Sequence, residues 1–437
     1  MRTTLTLLLT KIIRWMLKRL GRGGSLPGSI ALKLDPQFLK HFTYPNKVIM
    51  VTGTNGKTTT SNMIYETLAK SGLKVIGNRR GDNLKAGITT LVAANAGLNK
   101  RVKADAMVIE VDELNVPKVI SDVKVDVFVI NNFFRDQLDR AGEMETILRK
   151  LEAVLPDFTG TLVLNGDDPN VMRLALTAKQ ASIYTVGVTR NAMSSNTSDE
   201  ASEGKYCPVC DCALHYHFYQ YSHIGKFYCP NHDFGDVTLQ LEAAAVDFEK
   251  SCFEVAGVRY KAPQNALFSI YNCMAVLGCL DVLQIDRQYA AQVFETFALN
   301  DGRMEMFSLD GKDCLLNLVK NPTGANETMK YIQRDQEAKA LVIVLNDNDQ
   351  DGTDISWIWD AQFERLMSAD VQTIICSGLR AYDLALRFQY GGFEGRLLVK
   401  PDMQEAVQEL KKQPEHLYVI ATYTALQPMR AVLRRNT

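Results

Sequence analysis

Lys47-Val-Ile-Met-Val-Thr-Gly53-Thr-Asn-Gly56-Lys57-Thr-Thr59 decides the fold. Lys47–Thr52 is a short β-rich run, and Gly53-Thr-Asn-Gly56 turns out of it. Lys57–Leu73 then has helical spacing, with Met63, Ile64 and Leu68 apolar and Gly72 near the end as a stop signal. Strand, glycine loop, lysine, hydroxyls and helix in that order predict a phosphate-binding loop rather than a chance glycine turn. The glycines let backbone N–H groups approach phosphate oxygens, and the helix N-terminus adds a positive end. Lys57 is placed to reach the outer phosphates and Thr58 or Thr59 to hold Mg²⁺. ATP is therefore the expected ligand, on Gly53, Thr54, Asn55, Gly56, Lys57, Thr58 and Thr59, with Lys57 also catalytic.

The pattern of strand, turn and helix repeats beyond this loop. Ala106–Val111, Asp126–Asn131 and Gly160–Leu164 read as buried strands, and Thr146–Leu155 as a helix between the last two. Such alternation predicts an α/β fold with a mostly parallel sheet covered on both faces. Composition shifts to Ser, Asn, Thr, Asp and Glu across Ser194–Glu203, leading into a cysteine-rich insert. Apolar alternation resumes at Val237–Tyr260, and a helix follows at Tyr271–Leu283. A second α/β unit is expected from Gly302, with strands at Ala340–Leu345, Val371–Cys376, Arg396–Val399 and Leu417–Ala421. The expected organisation is an N-terminal helix and linker over 1–45, an ATP-binding domain over 46–300 with an insert at about 204–236, and a smaller α/β domain over 301–437.

The 437 residues, 46% hydrophobic and 23% charged, have the composition of a globular protein and suffice for two domains. A net charge of −1 offers no footprint for nucleic acid. Of nine cysteines, Cys252, Cys273, Cys279, Cys314 and Cys376 stand singly, whereas Cys207, Cys210, Cys212 and Cys229 crowd together. This suits a reducing cytoplasm and one local metal site. Cys207-Pro-Val-Cys210, 18 residues, then Cys229-Pro-Asn-His232 has the spacing of a zinc ribbon. Cys207, Cys210, Cys229 and His232 are the expected ligands of a structural Zn²⁺, with Cys212 and His223 as rivals for the fourth place.

The N-terminal segment has Leu5, Leu8, Leu9, Ile12, Ile13, Met16 and Leu20 on one side of a helix and Lys11, Arg14, Lys18 and Arg22 on the other. Its charges interrupt the apolar run, so it is neither a signal peptide nor a membrane span. Two placements suit it: packed on the body of the protein, which is the more ordinary, or at the surface as a peripheral contact with anionic lipid at the inner face of the membrane.

Two residues rather than four separate the glycines of the loop, and Gly-Thr-Asn-Gly-Lys-Thr-Thr resembles the loop of Mur ligases and folylpolyglutamate synthases. Other segments resemble that superfamily in order and spacing. In Val108-Ile-Glu-Val-Asp-Glu113, Glu110 occupies the position of the family's Mg²⁺-binding Glu, with Glu113 a second candidate. Asn132 and Asp136 match an Asn and an Asp of the family motif, while its metal-binding His is Gln137 here. Asn165-Gly-Asp-Asp-Pro169 resembles a structural family segment. Asn272 matches an adenine-contacting Asn, Arg303 a hinge Arg that reaches ATP, and Asn317 stands where the family has a nucleotide-holding Asp. Lys320 replaces a family His.

Too little chain precedes Lys47 for the nucleotide-sugar domain of amino-acid-adding Mur ligases. With the cysteine insert and Asp351-Gly-Thr-Asp-Ile-Ser-Trp-Ile-Trp-Asp360, the chain resembles the MurT family of ligase subunits. That resemblance implies a P-loop Mur ligase central domain with parallel sheet and inserted zinc ribbon, followed by a smaller C-terminal domain. It implies ATP-dependent amidation of the D-glutamate α-carboxyl in the lipid II stem peptide through an acyl phosphate, a step of peptidoglycan biosynthesis. Ammonia would come from a class I-type glutaminase subunit of the GatD type, whose triad Asp354 would complete. The alternatives are an amino-acid ligase of the Mur ligase and folylpolyglutamate synthase type, and a nucleotide-binding zinc scaffold without catalysis. Gln137 and the insert argue against the first, and Lys57, Thr58 and Glu110 against the second.

Overall fold

A computed structural model of the chain describes residues 2–19, 24–79, 82–134, 144–198, 203–298, 302, 304–413 and 416–437. Leu20, Arg22, Asp136, Gln137 and Arg303 lie outside the described residues. The chain forms two compact units: Met1–Phe134 with Glu145–Phe297, and a second from Ala298 to Thr437.

The strands of unit 1 are β1 (Val48–Thr52), β2 (Val75–Gly77), β3 (Ala106–Glu110), β4 (Val127–Ile130), β5 (Thr161–Asn165), β6 (Ser182–Val188), β7 (His215–Tyr221), β8 (Ile224–Tyr228), β9 (Leu241–Asp247), β10 (Cys252–Val255) and β11 (Val258–Lys261). Nine of them make one sheet in the order β11-β10-β9-β6-β5-β4-β1-β3-β2. From β2 to β9 every pairing is parallel, and β10 and β11 add an antiparallel edge. β1, β3 and β4 are buried along their whole length, as strands covered on both faces must be. The Leu267–Leu283 helix, apolar on nearly every side, lies against β4, β5 and β6.

This order puts β1 between β3 and β4: after β1 the chain lays down β2 at the edge and β3 on one side, then crosses to β4, β5 and β6 on the other. That is a topological switch point, where a crevice opens beyond the strand ends. The phosphate loop leaves β1 there, and Glu110 closes β3 beside it, paired in register with Val51.

β7 and β8 form a separate antiparallel hairpin, the body of the cysteine-rich insert. Two helices precede the sheet: α1 (Arg2–Arg19) and α2 (Leu26–Leu34). α1 meets the body through Thr3, Thr6, Leu7 and Thr10 rather than through its leucine-rich side. The small threonines allow close approach, and Thr3 Oγ1 donates to the buried Asp35 Oδ2 at 2.9 Å.

Unit 2 carries β12 (Glu305–Leu309), β13 (Lys312–Leu318), β14 (Lys339–Val344), β15 (Val371–Ser377), β16 (Arg396–Val399) and β17 (His416–Ala421) in the order β12-β13-β17-β14-β15-β16. All pairings are parallel except β12 with β13.

Candidate active site

The loop after β1 takes the shape that its glycines permit. Gly53 has φ +128° and Gly56 φ +82°, both in the region that favours glycine. A Cβ on Gly53 would stand 2.9 Å from the Asn132 carbonyl, and one on Gly56 only 2.1 Å from Asn272 Oδ1. Gly56 also occupies the N-cap of the Lys57–Lys70 helix, where no side chain caps the first turn. The positive end of this helix therefore faces the loop without a side-chain cap, which suits an anion there.

The segment after β4 clamps this loop. The Asn132 carbonyl accepts from Thr54 N (2.8 Å), Asn132 Oδ1 accepts from Asn55 N (2.9 Å), and Asn132 Nδ2 donates to Asn55 O (3.2 Å). Phe134 N donates to Thr54 Oγ1 at 3.0 Å. Asn132 is thus engaged with the loop backbone. Asn131 Nδ2 donates to Thr60 Oγ1 (3.0 Å), and Asn272 abuts the same threonine (3.4 Å).

Lys57 Nζ donates to the Gly53 and Thr54 carbonyls and pairs with Glu113 Oε1 at 2.8 Å. Glu113, a Mg²⁺ candidate by sequence, here holds the lysine. Glu110 is only 3% exposed. Asn78 exchanges two 2.8 Å bonds with its backbone, and Asn83 Nδ2 donates to Oε1 at 3.1 Å. Oε2 is buried with no hydrogen-bond partner. A buried carboxylate oxygen left so is costly unless a cation meets it. Glu110 Oε2 is therefore a donor that suits a hard cation such as Mg²⁺; Thr58, the hydroxyl expected from sequence, is half-buried in the first helical turn. Sequence reading missed Asn78 and Asn83, which follow a strand of three residues, too short to show a period.

Asn165-Gly-Asp-Asp-Pro169 ties the site to its surroundings. Asp168 Oδ2 accepts from Phe133 N (2.9 Å), and Asp168 Oδ1 caps the Pro169–Ala175 helix through Asn170 N and Val171 N. Asp167 Oδ2 accepts from Tyr271 Oη (2.7 Å) and Val188 N (2.8 Å). Burial dominates over these bonds and pushes the Asp167 carboxyl up to about 6.

In the insert, Cys207, Cys210 and Cys229 gather with their sulfurs within 4.8 Å of one another. Cys210 and Cys229 Sγ are 3.4 Å apart, far beyond a disulfide bond and close enough to share one metal ion. His232 is exposed, at φ +59°, and is not one of this cluster. Cys212 Sγ accepts from Asn231 Nδ2 (3.3 Å), which also reaches Cys210 Sγ. His223 sits at the opposite end of the hairpin, before β8 where Cys229 follows it, about 17 Å along the strand. There it is 2% exposed and packs on Phe134, Asp168 and Asn170. It is removed as a rival for the fourth ligand.

Within unit 2, Asn317 Nδ2 donates to Thr328 Oγ1 (2.7 Å) and Asn317 Oδ1 accepts from Met304 N (3.1 Å). Both ends of that amide therefore brace this unit. Asp354 is half-buried, and its Oδ1 accepts from Ser356 N (2.8 Å). Asp351 anchors the same loop by accepting from Thr424 N and Thr424 Oγ1. Cys376 lies in the core of β15, where burial pushes its thiol up to about 12, so it is no nucleophile.

Residues 51–232 match the Mur ligase middle domain, and residues 318–426 match the MurT ligase C-terminal domain. The chain is 33% identical over 438 residues to the lipid II isoglutaminyl synthase (glutamine-hydrolyzing) subunit MurT of Staphylococcus aureus strain COL, covering 98% of this chain and 97% of that one. It is 32% identical over 445 residues to the same-named subunit of Streptococcus pneumoniae strain R6, covering 99% and 97%. In fold it resembles a pseudomurein peptide ligase type C from Methanothermus fervidus, at 19% identity and TM-score 0.71 over 92% of this chain and 81% of that one. It also resembles folylpolyglutamate synthase from Thermotoga maritima, at 15% identity and TM-score 0.58 over 95% and 94%.

Proposed function

The chain belongs to the MurT family of Mur ligase-type subunits, and from that premise we propose that it amidates the α-carboxyl of D-glutamate in the lipid II stem peptide. Similarity across nearly the whole of two named relatives, spanning both units, carries this reading.

A carboxylate does not react with ammonia unaided, because its oxygen is a poor leaving group. Phosphoryl transfer from ATP makes an acyl phosphate; ammonia attacks the carbonyl, and phosphate leaves with the amide formed. The Gly53–Thr59 loop binds the nucleotide phosphates through backbone N–H groups, and Lys57 leaves Glu113 to neutralise the transferring group. Asn132 keeps the loop in shape, and Asn272, against Gly56, borders the nucleotide site. Thr58 and Glu110 would hold Mg²⁺, which when bound offsets phosphate charge. Arg303 and Asn317 are proposed to serve the nucleotide from the C-terminal domain, taken as 301–437 beside a central domain of 46–300.

Ammonia comes, on this reading, from a GatD-type glutaminase subunit. Supporting a docking surface on unit 2, Trp359, Leu379, Tyr382, Leu386 and Tyr390 are exposed, with Trp359 and Tyr390 ring centroids 6.2 Å apart. Asp354 beside them would orient the glutaminase histidine; unchanged glutaminase activity in Asp354→Asn would sink that role. Zn²⁺ would close the insert on Cys207, Cys210 and Cys229, with His232 turning inward or Cys212 as fourth ligand. Metal analysis of His232→Ala and Cys212→Ser decides between them.

The decisive experiment supplies purified chain and glutaminase with lipid II, ATP, and either glutamine or ammonium, followed by mass spectrometry. Replacement of the hydroxyl by an amino group supports the proposal. Addition of an amino acid instead supports a folylpolyglutamate synthase-type ligase, and no ATP turnover overturns both.

A further inference from the structure

α1 turns its apolar side outward. Leu5 is 61% exposed, Ile12 53%, Trp15 55% and Met16 52%, with Leu8 and Leu9 also open. The side facing the body is Thr3, Thr6, Leu7 and Thr10. At 3.6 residues per turn these are two opposed stripes, the reverse of what a helix on a globular surface normally shows. The helix is nonetheless firmly held. Arg2 Nε donates to Leu34 O (2.7 Å), Thr3 Oγ1 to Asp35 Oδ2 (2.9 Å), and Lys11 Nζ to Ala96 O (2.6 Å).

The charge around the stripe has one sign. Residues 1–34 hold seven Lys and Arg and no Asp or Glu, in a chain whose net charge is −1. Lys18 borders the stripe, Lys11 and Arg14 lie toward the body side of the helix, and the Arg19 guanidinium lies on the stripe itself, 3.8 Å from the Trp15 ring centroid. The neighbouring turn adds exposed Leu98, Arg101 and Lys103. Burial, then the charges of Lys103 and Arg14, hold the Lys11 ammonium below its ordinary value. Cations so crowded call for an anionic surface opposite. No described helix is long and apolar enough to cross a membrane, so the arrangement suits a helix lying on one.

We propose that the exposed stripe of α1 docks on an anionic bilayer. Leu5, Leu8, Leu9, Ile12 and Met16 enter the acyl boundary, and Trp15 sits at headgroup depth. The exposed Lys18, Arg19, Arg101 and Lys103 meet lipid phosphates. This deepens the reading above and rests on it for its purpose, since docking brings the ligase to the surface in which its lipid-linked acceptor is embedded. A protein pocket for the same leucines would have no need of a rim of one charge.

The full-length chain, alone and with its glutaminase subunit, is sedimented with phosphatidylglycerol-rich vesicles and with phosphatidylcholine vesicles, neither containing lipid II, over a range of salt. Binding to the anionic vesicles that weakens with salt is expected. The double substitution Ile12→Glu, Met16→Glu should lower that partition roughly tenfold or more, while activity on detergent-solubilised lipid II stays unchanged. No binding, equal binding to both vesicles, or unchanged binding by the double variant overturns the proposal. So does light scattering in which the wild type self-associates through this stripe, or the variant sheds the glutaminase. Because the vesicles lack lipid II, failure of docking is read separately from failure of amidation.

Discussion

Asp167→Asn isolates one buried charge. The Asp167 carboxyl is buried, and desolvation outweighs the bonds from Tyr271 and Val188, carrying it from 3.8 to about 6. The folded state therefore holds the proton more tightly than the unfolded chain. The stability this group allows is fully present below pH 3.8 and is lost as pH rises through about 6, where the charge must form inside the fold. A rise of about two units corresponds to about 3 kcal/mol in all, of which roughly 1 kcal/mol is lost between pH 5 and 8. Asparagine keeps an oxygen for Tyr271 and Val188 and never ionises. Urea denaturation of both proteins across that range should show the variant gaining on the wild type as pH rises, then levelling off above about 7. A constant offset, whatever its size, would refute the assignment of a raised carboxyl here, because a lost or gained hydrogen bond does not depend on pH.

Glu110→Gln should leave stability unchanged or higher, since Oε2 has no partner to lose, while the Mg²⁺ needed for half-maximal ATPase rises about tenfold or more. Equal Mg²⁺ dependence would move the metal elsewhere. Glu113→Gln releases Lys57 from a pair 2.8 Å long, so a non-hydrolysable ATP analogue should bind about fivefold more tightly by calorimetry. Weaker binding would instead make Glu113 a ligand of the nucleotide's metal. Gly56→Ala places a methyl 2.1 Å from Asn272 Oδ1 at φ +82°, and nucleotide affinity should fall about a hundredfold. Affinity within a factor of about two of wild type would exclude the loop as the phosphate cradle.

The fold was most legible where burial and backbone geometry act locally. β1, β3 and β4 carry near-continuous apolar runs because both faces are covered, so their patterns survive in sequence. The glycine loop was legible because only glycine suits Gly53 and Gly56. β2 and β12 escaped, one being three residues long and the other an edge strand with alternating exposure. Partnerships between distant residues escaped for a different reason. Nothing local links Lys57 to Glu113 or Asn83 to Glu110; topology alone brings them together. His223 looked like a ligand because it lies near cysteines in sequence, but the β8 strand carries Cys229 away from it.

The same strand explains what the insert does for the loop. Its cysteines hold one end of the hairpin, where Cys207 N bonds Cys212 O and Cys229 N bonds Phe234 O. Its tip presses into unit 1: Gly225 N donates to Asp167 O, and His223 packs on Asp168 and Phe134. Asp168 in turn accepts from Phe133 N, Phe134 N donates to Thr54 Oγ1, and the Asn132 carbonyl accepts from Thr54 N. An unbroken series of bonded and packed groups thus runs from the hairpin tip to the phosphate loop. The cysteine cluster stands at the other end of the hairpin, so the insert meets unit 1 through its tip rather than through its cysteines. The Asp167–Asp168 pair is where the two meet: the Asp167 carbonyl accepts from Gly225 N of the hairpin, and Asp168 Oδ2 accepts from Phe133 N beside the loop.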